Sequence, residues 1–154
     1  MTGSGDVELD KLIAKYTDEV AARTHALVAA LRARLHGATL LVYDNYNALA
    51  IGFASSDKLA STILSVTAYP RWVSLFFMQG AALDDSHKLL TGSGNQVRSI
   101  PRIEMEMLHD PRVAELIAQA VENAVPPLDT KVLGGIIIKS ISAKQRPRRP
   151  TAAN

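Results

Sequence analysis

The chain has no cysteine in its 154 residues, which removes disulfide frameworks, thiolate nucleophiles and cysteine-ligated zinc or iron–sulfur sites from consideration. No apolar run approaches the ~20 residues that a membrane-crossing helix needs. The opening stretch, Met1 to Asp10, is acidic and glycine-rich, and lacks the basic region and apolar core of a secretory signal. These absences lead to the expectation of a cytoplasmic protein. Aromatic residues are also scarce, with a single tryptophan, Trp72. What is present is ordinary for a folded domain: 47% of residues are hydrophobic and 21% charged, a balance that disordered chains do not have. The length suits one domain, enough to hide roughly 70% of the surface of its unfolded chain.

Positive charge is unevenly placed. The formal net charge of +2 becomes −2 when the four cations beyond Ala143 (Lys144, Arg146, Arg148 and Arg149) are set aside. The body is therefore not basic, and a nucleic-acid binder is expected to carry a basic stripe on its body. The division that follows is one domain over residues 1–143 and a basic, disordered tail over 144–154, a solvated charge run.

Along the chain, Leu12, Ile13, Tyr16, Val20, Leu27, Val28, Leu31 and Leu35 recur at helical steps. Thr17 followed by Asp18 and Glu19 marks a fresh helix start, so two helices are expected, near 7–16 and 18–36, with Gly37 as a left-handed cap. The period then changes to two. Strands are expected at 39–43, 48–54, 62–68, 71–79 and 96–100, with a short helix capped by Asp84-Asp85 running through Leu90. In the fourth strand Val73, Leu75 and Phe77 share one face, and Trp72, Ser74, Phe76 and Met78 the other. A strand apolar on both faces is expected to be central and covered twice. Asp110-Pro111 opens a further helix, Pro126-Pro127 stops it, and Ile136 to Ile141 forms an edge strand or a docked extension. The fold class is α+β, an antiparallel meander of about five strands with amino-terminal and carboxy-terminal helices packed on it.

The stretch Trp72-Val73-Ser74-Leu75-Phe76-Phe77-Met78-Gln79-Gly80-Ala81, then Leu83-Asp84-Asp85, Leu89-Leu90, Gly92-Ser93-Gly94 and Arg98, resembles the signature of the YdhG-like bacterial domains, a large family mostly of unknown function. The resemblance runs from about Leu9 to Val121 and is densest from Trp72 to Ile100. It implies an α+β fold with an antiparallel sheet. One branch of the family is described as frataxin-like intracellular iron chaperones, so labile Fe²⁺ is the cargo that the resemblance implies. Two positions depart from the family pattern: Asp44-Asn45-Tyr46-Asn47 replaces a proline-containing turn, and Asp85-Ser86 replaces an Asp-Pro step.

Three chemistries compete for these residues. Iron in a carrier takes hard oxygen and imidazole ligands, for which Asp84, Asp85 and His87 form the best local cluster, with Asp6, Glu8, Asp10, Asp18 and Glu19 as an acidic amino-terminal region. Both sets also read as ordinary helix-start acids. A small-molecule pocket could form where Trp72, Phe76 and Met78 stand opposite the small face of Ala48, Ala50 and Gly52, with Tyr46, Gln96 and Arg98 as its polar groups. The same large and small side chains could instead interdigitate as core. The Gly92-Ser93-Gly94 loop could offer N–H groups to an anion, but it lacks the lysine of a phosphate loop and reads better as a tight turn, with Arg98 pairing with Asp84 or Asp85. No Gly-x-Ser-x-Gly elbow, His-Glu-x-x-His motif or paired acid/base carboxylates occur, so enzymatic chemistry has the least support. The expectation is a binding or carrier domain, iron first and a small ligand second. An interaction module using the basic tail stands third.

Overall fold

The computed structural model describes residues 4–150. Helix α1 runs Ser4–Ile13 and α2 Asp18–Arg34. Thr17 caps α2 as its neighbours suggest, its side chain accepting from the Val20 N–H. Gly37 adopts φ +85° just beyond, and a Cβ there would run into the Asp129 carbonyl of a later segment. Strands β1 (Thr39–Asp44), β2 (Leu49–Ala54), β3 (Thr62–Ala68), β4 (Val73–Phe77) and β5 (Arg98–Ile100) follow as an antiparallel meander. A single turn, α3 (Met105–Leu108), precedes α4 (Pro111–Glu122). Helix α4 starts where Asp110-Pro111 predicts, with the Asp110 carboxylate accepting from Arg112 N, and ends at Asn123, ahead of the two prolines.

The last strand, β6 (Ile136–Ile141), corrects the expected architecture. It lies on the far side of β1 and runs parallel to it, so the sheet is mixed and has six strands in the order β5-β4-β3-β2-β1-β6. Parallel pairing requires a crossover, and the chain between β1 and β6, carrying α3 and α4, supplies it. Ile136 and Ile138 turn toward the core while Ile137 and Ile141 are exposed, a half-buried edge strand.

All four helices contribute to one apolar cluster on one face of the sheet, where Leu40, Val42, Leu49, Ile51, Phe53, Leu64, Val66, Leu75 and Phe77 are buried. Helix α2 packs on β3 and β4, α4 on β3, and α1 beside β6. The Tyr16 hydroxyl, wholly buried, ties this layer to the sheet by donating to Ala68 O (2.9 Å) and accepting from Leu49 N (3.1 Å). Burial pushes its pKa up to about 12, against the opposing pull of the nearby Arg148 charge. The other face carries Leu41, Tyr43, Ala50, Gly52, Ser65, Thr67, Ser74 and Phe76, and no helix among the described residues packs on it. Strand β4 is thus covered once, not twice, and lies next to the edge strand β5. Small and hydroxyl side chains make a single helix layer sufficient, because that face has little apolar area to hide.

Two local expectations also change. Residues 84–90 form no helix: a 3₁₀ turn occupies Gly80–Ala82, and Lys88 takes φ +56°, a left-handed geometry that a helix cannot continue through. The tail is seated on the body as far as Pro150, and Arg148 is 5% exposed. Residues 151–154 of the expected disordered tail lie outside the described residues. No helix among those described is long and apolar enough to cross a membrane.

Candidate functional site

The acidic candidates come first. Asp85 spends both carboxylate oxygens on backbone, accepting from Leu89 N (2.8 Å) and Leu90 N (2.9 Å). Asp84 is held through its backbone, which exchanges hydrogen bonds with the Gln119 side chain of α4. His87 is exposed and shares a shallow depression of about 210 Å³ with Asp84, Asp85 and Glu115, where Arg112 contributes a cation. At the amino terminus, Asp6 pairs with Arg32, Glu8 with Lys11, Asp10 with His25 and Glu19 with Arg23. No three Asp, Glu or His side chains converge on a point among the described residues. The Arg98 partner expected for Asp84 or Asp85 is also absent: the Arg98 guanidinium donates to Gly94 O (2.6 Å) and Val97 O (2.9 Å), closing its own loop. Gly92 takes φ +139°, a backbone geometry in that loop that favours glycine.

The pocket candidates divide among three concavities. On the helix-free face, Ala48 just before β2, Ala50 of β2 and Ser65 and Thr67 of β3 floor a groove of about 410 Å³. Its walls are Tyr46 and Tyr69 on one side and Phe76 and Met78 on the other. The pairing register explains the step in height. Ala50 pairs with Thr67, Thr67 with Ser74 and Ser65 with Phe76, so short side chains run across the middle of the face before the Phe76 ring rises. The two floor hydroxyls, Ser65 Oγ and Thr67 Oγ1, are hydrogen-bonded to each other at 3.1 Å, and both residues line the groove. Tyr46 and Phe76 are therefore brought together as the pairing of large and small faces predicts. Gln96 and Arg98 lie outside this groove; with Phe76 and loop residues 91–97 they line a separate open depression of about 410 Å³.

Trp72 faces a second, larger cleft of about 570 Å³ at the β3–β4 turn. Its ring stacks on Tyr69 with centroids 5.4 Å apart, and the Arg102 guanidinium lies 4.4 Å from the centroid. It is half-buried rather than enclosed by the small residues of β2. Tyr69 and Asn47 line both this cleft and the groove.

One wall of this second cleft comes from the tail, which docks on the body instead of forming the solvated run that its composition predicts. Its anchor is Asp44 at the end of β1, 1% exposed. Asp44 accepts from Lys15 Nζ (2.8 Å), Gln145 Nε2 (2.9 Å) and Arg148 Nη2 (2.8 Å), and Arg148 also donates to the Asn45 and Tyr46 carbonyls. Burial pushes the Asp44 pKa upward, but the bonds from Lys15, Gln145 and Arg148 outweigh it and hold the carboxyl below its ordinary range. With Arg148 turned inward, Arg146 and Arg149 point outward beside Pro147 and Pro150. The sequence signal for this site was Asp44 in the turn Asp44-Asn45-Tyr46-Asn47. It places an acid where a later cation could meet it, but the sequence does not say which cation.

Compared with known proteins, the chain matches no family model, no curated protein and no solved structure.

Proposed function

We propose that this chain is a YdhG-like binding module that holds a compact, largely apolar small molecule in the groove on the helix-free face of its sheet. The motif block from Trp72 to Ile100 supports the family reading, and one feature of the groove carries the functional one. A floor of alanine and hydroxyl side chains, walled by Tyr46, Tyr69, Phe76 and Met78, leaves about 410 Å³ open where a folded domain ordinarily fills or covers its sheet. Apolar walls supply affinity, and the Ser65–Thr67 hydroxyl pair with Asn45 and Asn47 supplies orientation. Iron carriage, implied by the resemblance, draws no comparable support, because Asp85 is committed to backbone and its neighbours do not converge.

A fragment screen read by ligand-observed NMR tests the assignment on wild type and Ala50→Leu, in which a larger side chain fills the floor. Hits that bind wild type and vanish in Ala50→Leu are expected. Hits indifferent to Ala50→Leu would put the ligand elsewhere and sink the reading.

A further inference from the structure

The cleft beside Trp72 has a chemistry that the groove does not need. Three arginines, Arg71 from the β3–β4 turn and Arg146 and Arg149 from the tail, line it together with Tyr69 and Trp72, and no carboxylate among the described residues does. All three arginines are exposed. The acid closest in sequence to the Asn47 wall, Asp44, is buried and spent on Lys15, Gln145 and Arg148. Arg102 adds a fourth cation against the Trp72 ring. Like charges gathered on a concave wall repel one another, and a cleft lined by one sign focuses its field on an incoming counter-charge.

The arginines are also held in place. Arg149 donates Nε to Lys15 O (3.2 Å) and one Nη to Ala14 O (3.5 Å), just past the end of α1, and its remaining N–H groups are left for other acceptors. Arg146 lies 5.6 Å from the Tyr46 ring centroid, and its backbone N–H donates to Tyr46 O. The buried Arg148–Asp44 pair pins the segment between them, and Pro147 and Pro150 restrict its backbone. An anion entering here would order few side chains that are not already ordered, which favours affinity.

We infer that this cleft is a phosphate-binding site for a compact organic phosphate, with Arg146, Arg149 and Arg71 as its cationic contacts and the Tyr69–Trp72 pair as its aromatic wall. Guanidinium groups match the paired oxygens of a phosphate better than any other side chain. The volume, about 570 Å³, suits a molecule of nucleotide size. A nucleic-acid backbone offers the same phosphate chemistry, but a strand calls for a basic stripe, and this body has three arginines in one concavity. The inference does not depend on the groove ligand: the two concavities share Tyr69 and Asn47, but the arginines line only the cleft.

The sole tryptophan makes the test direct. Pyrophosphate and ADP are titrated into the full chain, following Trp72 emission for pyrophosphate and heat for both, with adenosine, sulfate and a short single-stranded oligothymidylate as further arms. Saturable binding of pyrophosphate and ADP is expected, with sulfate and adenosine weaker. Arg146→Ala/Arg149→Ala should weaken it about tenfold or more, the factor expected when one or two charge-assisted bonds are lost. Arg148 is untouched in that variant, and a thermal melt checks that the tail stays docked. Arg71→Gln, outside the tail, gives a second reading of the same site should the melt shift. Ala50→Leu should leave phosphate binding unchanged, so failure of the groove and failure of the cleft are told apart. Absence of binding to either phosphate, equal binding by the arginine variants, or binding of the oligothymidylate alone would each overturn the proposal.

Discussion

Two aspartates, Asp85 and Asp44, each organise an irregular segment, and they do so in opposite ways. Asp85 works locally: its partners are the N–H groups four and five residues further on, and the loop it shapes is closed again by Arg98 onto Gly94 and Val97. Asp44 works at long range, joining the end of α1 at Lys15 to a tail about a hundred residues away in sequence at Gln145 and Arg148. The first carboxylate replaces missing secondary structure with side-chain bonds to backbone. The second is a buried ion pair whose value lies in fixing where a distant segment sits. A local network of this kind costs little when cut, whereas removing one partner from a buried charged cluster strands the others.

The largest break in this comparison should come from Asp44→Ala. Arg148, 4% exposed at its side chain, then keeps only the Asn45 and Tyr46 carbonyls. Stability in chemical denaturation should fall by about 3 kcal/mol, the scale for one member lost from a buried pair. Limited proteolysis should find new cleavage sites beyond Ala143. A tail as protected as in wild type would show that the ion pair does not hold it.

Acid offers a gentler cut at the same point. Because the folded-state pKa of Asp44 lies below its unfolded value near 3.8, its contribution is complete above about pH 4 and is lost as the pH falls through the folded-state pKa. Tail resonances followed by NMR should therefore hold constant through the neutral range and change only at strongly acid pH. Release between about pH 5 and 8 would point to a histidine as the controlling group instead.

The smallest effect is expected for Asp85→Ala, at about 1 kcal/mol, typical of a lost carboxylate cap. Amide exchange should accelerate at Leu89 and Leu90 and stay unchanged at the tail. Acceleration reaching Ser142 to Pro150 would mean that the two ends of the sheet are coupled.

The legible parts of the molecule share one property: their determinants are neighbours in sequence. The Thr17 cap, the Asp110-Pro111 helix start, the extent of β3 and the alternation of Val73, Leu75 and Phe77 against Ser74 and Phe76 each depend on periods and caps within a few residues. The Tyr46–Phe76 groove was half legible, because the strand pattern puts small residues on one face. It does not show that this face goes without helices, and the reading of β4 as covered on both sides followed from that gap. The short helix expected after Asp84 failed because a carboxylate that caps a helix bonds the following N–H groups equally well in a loop, and Lys88 turns left-handed.

The sequence by itself determined the α+β class, the run of five antiparallel strands, the helix starts and the absence of any cysteine-based chemistry, since each rests on composition or on patterns a few residues long. Only the tertiary structure decided that the sixth strand pairs parallel with the first, that one face of the sheet stays open, and that the basic tail docks against Asp44 and the end of the first helix. Those outcomes depend on contacts between residues as far apart as Asp44 and Arg148, and their gain from burial and charge pairing is realised only when the whole chain is in place.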